Sequence, residues 1–181
     1  METNSLLDNE IPKYSDYAGF WLRLVASLVD GVVLVVAGLL ILKPILLLFG
    51  INYPSFESHS RELIEFLKEN PNASFTEILE TALGMSINDY IIIVITSGIM
   101  RWLYFAIMES SSKQATLGKM SLRLQVTDMD GNRITFLRAT GRHFGKIISA
   151  LIFLVGFIMA GFTEKKQALH DMMAGCLVYR K

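Results

Sequence analysis

The stretch LVASLVDGVVLVVAGLLILKPILLLFG, Leu24 to Gly50, decides the fold. It carries only two charges, Asp30 and Lys43, and as a helix it can cross a hydrocarbon layer about 30 Å thick. A carboxylate at Asp30 lies about 9 Å into a helix that starts at Leu24, at roughly 1.5 Å per residue. Keeping a charge at that depth costs on the order of 3 kcal/mol unless it is paired or wetted. Arg23 precedes Asp30 by two helical turns, so both side chains share a face. The combination predicts a membrane protein with a polar site, not a soluble enzyme.

The rest of the chain agrees. Of 181 residues, 52% are hydrophobic and only 19% charged, below the roughly 25% charged of soluble domains. The apolar residues are gathered into three blocks, Leu24–Gly50, Tyr90–Met108 and Ile147–Phe162. The first two suffice to span a bilayer, whereas the third is marginal. Seventeen basic residues balance seventeen acidic ones, so charge predicts no nucleic-acid partner. A single cysteine, Cys176, cannot form an internal disulfide and argues for no oxidising compartment. Glu2, Asp8, Glu10 and Asp16 crowd the region where a cleavable signal would need basic residues.

The loops set orientation. Residues 1–23 are a polar N-terminal segment whose Tyr17, Phe20 and Trp21 suit the membrane–water boundary. Residues 51–89 carry a net charge of −5 and fit two amphipathic helices, Ser58–Glu69 and Phe75–Leu83, with Ser74 and Glu77 at capping-box spacing. Residues 109–146 carry seven Lys and Arg against two in the acidic loop. The positive-inside rule therefore predicts a cytoplasmic basic loop, an external acidic loop and an N-terminus inside.

Within the basic loop, Leu122, Leu124 and Val126 alternate with polar residues, and Asp130-Gly131 supplies a turn before Arg133–Phe136. This predicts a cytoplasmic β-hairpin, with Leu177–Arg180 as a plausible third strand. Arg138, Arg142 and Lys146 follow at i, i+4 and i+8. They read either as a stripe on anionic headgroups or as a solvated helix face. The third apolar segment, 147–163, either crosses or re-enters. Crossing would strand Lys165, Lys166, Arg180 and Lys181 outside and separate the third strand from its hairpin, so re-entry is favoured. The remaining residues, 164–181, form a short helix around His170-Asp171, closed by Gly175 at a C-cap, and then the strand. The fold class is thus an α-helical membrane protein with two long spans, a third short or re-entrant segment, a small cytoplasmic sheet and an external helical loop.

Counting from the cytoplasmic ends, Arg101 on the segment 90–108 lies at the depth of Asp30 on the segment 24–50. The two are the expected intramembrane ion pair. Such a pair either locks two helices together or marks a wet cavity in which Asp30 binds a cation or shuttles a proton. In a third reading, Arg101 simply snorkels to the interface. No phosphate loop, zinc spacing or nucleophile–base arrangement is readable, which predicts neither a metal, a cofactor nor catalysis.

The motifs Gly19-Phe20-Trp21-Leu22-Arg23-Leu24 followed by Asp30, Thr116-Leu117-Gly118-Lys119 before Leu122–Val126, and Gln167-Ala168-Leu169-His170-Asp171-Met172-Met173-Ala174-Gly175 occur in this order. Together they resemble the RDD family of small bacterial membrane proteins, over about Tyr17 to Tyr179. The resemblance implies a single domain in the bacterial inner membrane. It maps the signature Arg and two Asp onto Arg23, Asp30 and Asp171, and it implies transport, with cation/proton exchange the most concrete form. Arg101 lies outside the family pattern, the 51–89 loop is long for it, and Cys176 stands where Thr is usual.

Three apolar segments without an internal repeat are few for alternating access. Transport of a small cation or proton would therefore call for a homo-oligomer in the bilayer. In that reading Arg23 holds the geometry of Asp30, and Asp171 is a second carboxylate at the cytoplasmic mouth. The alternative is a non-catalytic scaffold, or a lipid- or partner-binding protein.

Overall fold

Pro44 shapes the first long helix. It has no N–H to donate, and its ring crowds the carbonyl four residues back, so the turn before it widens. A computed structural model, which describes residues 17–51, 56–152 and 155–181 with the side chains of 56–61 excepted, places α1 at Phe20–Ala37. A π-turn at Gly38–Leu42 follows, then α2 at Lys43–Leu48. The Lys43 N–H donates to Gly38 O across five residues. This is the wider ladder by which a helix absorbs a proline or an insertion. Phe20–Leu48 is one apolar run of mean hydropathy 2.7, long enough to cross a membrane. Leu28, Val32, Val35 and Leu40 are all more than half exposed, a surface suited to hydrocarbon rather than water.

The residues up to Leu34 and from Arg101 to the C-terminus form one compact unit, and Val35–Met100 a second. In the second, α3 (Phe56–Glu69) and α4 (Phe75–Leu83) follow the expected amphipathic pair closely. The Ser74 hydroxyl accepts from the Glu77 N–H while the Glu77 carboxylate accepts from the Ser74 N–H. This reciprocal arrangement satisfies two helix-end donors. Leu42, Leu46 and Ile51 form this unit's small core against Ile93 and Met100.

The second membrane-length helix, α5, runs Ile87–Ser110 with mean hydropathy 1.9. In the first unit it is followed by α6 (Leu117–Ser121), β1 (Leu124–Asp128), α7 (Phe136–Leu151), α8 (Val155–Ile158), a 3₁₀ turn at Met159–Gly161, α9 (Leu169–Ala174) and β2 (Cys176–Arg180). β1 and β2 pair antiparallel with Val126 opposite Val178. Leu124, Val126, Cys176 and Val178 are buried against small residues of the helices, Ala26, Ala106 and Ala139.

The expected hairpin is therefore corrected. Its turn exists, with Gly131 at φ 82°, but its second arm is a single bridge between Thr127 and Arg133 before α7 begins. Thr135 caps α7 at once, its hydroxyl accepting from the Arg138 N–H, so no strand can extend there. The partner of β1 is the C-terminal strand. Tyr17 bridges Tyr179 and is buried, facing the sheet rather than a membrane boundary. The start of the expected interfacial segment, with the polar residues 1–16, lies outside the described residues.

The third apolar segment is no straight rod. α7 and the stretch Val155–Gly161 meet at 118°. Gly156 packs so closely that a Cβ there would come within 2.8 Å of Ser149 Cα, so the sharp return depends on the absence of a side chain.

Candidate functional site

Asp30 is buried, 1% exposed, as its place in an apolar helix requires. Its company is uncharged. The Tyr104 hydroxyl and the Gly118 N–H each donate to Oδ1 at 2.7 Å, and the Thr116 hydroxyl donates to Oδ2 at 2.6 Å. Thr116 also caps α6, its hydroxyl accepting from the Lys119 N–H. A Cβ on Gly118 would lie 2.1 Å from Ala26 O and 2.8 Å from Asp30 Cγ, so only glycine lets the loop backbone reach the carboxylate. The Thr-Leu-Gly-Lys motif is thus the receptor for Asp30.

Two expectations fail here. Asp30 and Arg101 form no ion pair among the described residues; Arg101 is exposed and stands 6.0 Å from the Phe105 ring. Nor does Arg23 orient Asp30. The Arg23 fork donates to Ala18 O and Lys166 O at 2.7 Å each and to the Asp171 carboxylate. Three neutral donors already satisfy Asp30, so no cation is required beside it.

Asp171 is the hub. It is wholly buried at the first turn of α9. One oxygen accepts from Arg23 and from the Ala168 N–H, the half of a capping box that an acidic third residue supplies. The other accepts from Arg142 Nε at 2.7 Å, with Nη2 in ion-pair contact with the same oxygen, a charge-assisted bond of the stronger kind. Gly175, in the left-handed region at φ 59°, closes the helix. Burial alone would raise the Asp171 carboxyl, but Arg142 and Arg23 hold it well below the usual carboxylate range. Burial pushes its neighbour His170 down to about 3, leaving a neutral imidazole 3.2 Å from the Ser149 hydroxyl.

Arg142 carries the network onward. Its Nη1 donates to Glu109 Oε2 at 2.7 Å, and Lys119 Nζ donates to Glu109 Oε1 at 2.5 Å. Lys146 approaches the same Oε1 at 3.7 Å. Burial lowers the Lys119 ammonium, with Glu109 opposing it. The result is a continuous chain of alternating charge, Arg23–Asp171–Arg142–Glu109–Lys119. The stripe expected to meet headgroups is accordingly corrected. Ala139, Arg142, Gly145 and Ser149 form the buried face of α7, and Arg142 is 2% exposed. Only Arg138 looks outward, 3.5 Å from Asp128. Steps of four residues drift only about 40° per step on a helix, so a basic stripe can face inward when carboxylates wait there.

Beside the chain lies a cavity of about 670 Å³, lined by Phe20, Leu24, Ile147 and Phe157 together with Arg23, Lys119 and Arg142 of the network. Reading charge by depth missed Glu109, Tyr104 and Thr116. Glu109 had a signal, as an acid at the end of an apolar span facing a loop full of Lys and Arg; Thr116 stands in the Thr116-Leu117-Gly118-Lys119 motif, though nothing there points to Asp30, and Tyr104 had no signal.

A family model described as the RDD family matches residues 17–175. Two bacterial proteins are similar. The uncharacterized protein YxaI of Bacillus subtilis (strain 168) is 32% identical over 91% of this chain and 97% of its own length. The uncharacterized protein RP437 of Rickettsia prowazekii (strain Madrid E) is 34% identical over 67% of this chain, which spans 61% of that protein. No solved structure matches.

Proposed function

Since this chain belongs to the RDD family, we propose that it is an integral membrane protein that moves a small ion or solute, through the cavity beside its buried ion chain. The observation that carries this reading is the end-to-end contact of Arg23, Asp171, Arg142, Glu109 and Lys119 along that cavity. Linked buried charges can exchange partners when a solute or proton arrives, whereas an isolated buried pair only locks a fold. For cation/proton exchange, the exchanging carboxylate is Glu109 rather than Asp30. Asp30 is closed off by three donors, while Glu109 faces three cations that compete for two oxygens.

We place the protein in the bacterial inner membrane with its N-terminus and basic loop inside. The excess of Lys and Arg in residues 109–146 supports that orientation. The pairing of β1 with β2 supports a re-entrant rather than crossing segment at 147–163, because both flanks must then share a side. A homo-oligomer fits the small number of spans.

The test is sodium-, lithium- or pH-driven flux in proteoliposomes holding the full chain. Flux should vanish in Glu109→Gln and persist in Arg138→Gln; no driven flux of any of these ions in folded protein removes the transport reading. One observation favours a scaffold instead: all three Arg23 nitrogens and both Asp171 oxygens are engaged in hydrogen bonds. In that case Glu109→Gln should lower abundance and leave partner pull-down as the only phenotype.

A further inference from the structure

The lining of the cavity carries more positive than negative side chains. Arg23, Arg101, Lys119, Arg142 and Lys146 line it, and Asp30 is the one carboxylate among its lining residues. Even with Glu109 and Asp171 behind the wall, five cations oppose three anions. The excess falls on two side chains. Arg101 has no ion pair among the described residues, and Lys146 reaches only an oxygen that Lys119 already holds. Both sit on the Phe105 ring, with Arg101 Cζ 6.0 Å and Lys146 Nζ 4.1 Å from its centroid, and His143 packs on the same ring at 5.7 Å. The buried Nδ1 of His143 finds no hydrogen-bond partner among the described residues, and a buried polar atom of this kind calls for one. Of the apolar residues in the lining, Ile147 and Ile158 are exposed at the surface.

From this arrangement we infer that the cavity binds one anionic amphiphile of the phosphate class, its phosphate between Arg101, Lys146 and His143 and its acyl chain leaving past Ile147 and Ile158. A phosphate offers acceptor oxygens to several donors at once. The two surplus charges of the wall match such a headgroup, and the exposed isoleucines match a tail already dissolved in the bilayer. The inference rests on the proposed role of the cavity only in placing the solute there; binding is read at equilibrium, without a gradient.

The experiment uses delipidated full-length protein, titrated with phosphatidylglycerol or phosphatidylcholine and read by native mass spectrometry. One phosphatidylglycerol per chain should be retained at least about tenfold better than phosphatidylcholine, since both offer the same phosphate but the choline cation would add positive charge beside Arg101 and Lys146. Arg101→Gln, which lies outside the ion chain, should erase the preference, and Ala150→Trp, at the cavity wall, should expel the lipid. Arg138→Gln should change nothing. Equal retention of both lipids, or displacement of the lipid by inorganic phosphate at equal concentration, overturns the inference, the second result assigning the site to a free anion. Lipid binding without flux would remove only the transport reading. Cation flux without lipid preference would remove only this one.

Discussion

A buried carboxylate must be answered, and this chain answers its two signature carboxylates in different ways. Asp30 takes neutral donors from positions 74, 86 and 88 residues away; Asp171 takes two arginines. Leucine at Asp30 should therefore orphan three donors and cost about 3 kcal/mol or more, each buried unsatisfied group being worth roughly 1–3 kcal/mol. Asparagine there keeps two acceptor contacts and should cost less than half as much, read by thermal unfolding in detergent. Asp171→Asn should cost about 3–5 kcal/mol, because it leaves buried arginine charge uncompensated. The pH dependence follows the same logic. Asp171 is held below its ordinary value in the folded state, so its contribution is complete above the unfolded value near 4 and shrinks as pH falls below it. Melting temperature should thus fall with acidification in the native protein, with a shallower slope in Asp171→Asn; equal slopes would remove Asp171 from the linkage. Arg23, Asp30 and Asp171 could be picked out from the sequence, but their partners could not. A hydroxyl or a backbone N–H leaves no mark in composition, so a reading that pairs charge with charge joined Asp30 to Arg101.

Among the elements, those whose residues speak for themselves were readable. The apolar spans, the capped α4, and α9 with its glycine close all announce themselves through periodicity or end residues. The hairpin's second arm fails because Thr135 caps α7 at once, while the C-terminal strand expected in the same sheet does pair with β1. The Arg142 face of α7 turns inward because its carboxylates come from α5 and α9, which the spacing within α7 does not show. Close glycine contacts, invisible in a linear chain, now make separable predictions. Gly118→Ala, whose Cβ would lie 2.1 Å from Ala26 O, should release the loop from Asp30 and cut the yield of folded protein sharply. Gly156→Ala should open the α7–α8 bend. Gly141→Ala, in α7 with nothing within 4 Å, should instead stabilise by up to about 1 kcal/mol. Comparative melting of the three variants checks the set, and a neutral Gly118→Ala would contradict the packing of the loop on α1.

The molecule as a whole joins exposed apolar helices to a unit held by an ion chain and a two-stranded sheet. In the proposed arrangement the sheet and the ion chain make the same demand on topology: residues 109–146 and the C-terminal strand share one side of the bilayer, and the 147–163 segment turns back. The direct measurement is membrane-impermeant thiol labelling of single cysteines placed at Lys113, Glu77 and Lys181, with Cys176 replaced by alanine, in sealed right-side-out and inverted vesicles. The account predicts that positions 113 and 181 label together from the cytoplasmic face and position 77 from the opposite one. Labelling of position 181 from the same face as position 77 would contradict it, because β2 could not then reach β1, nor Asp171 reach Arg142.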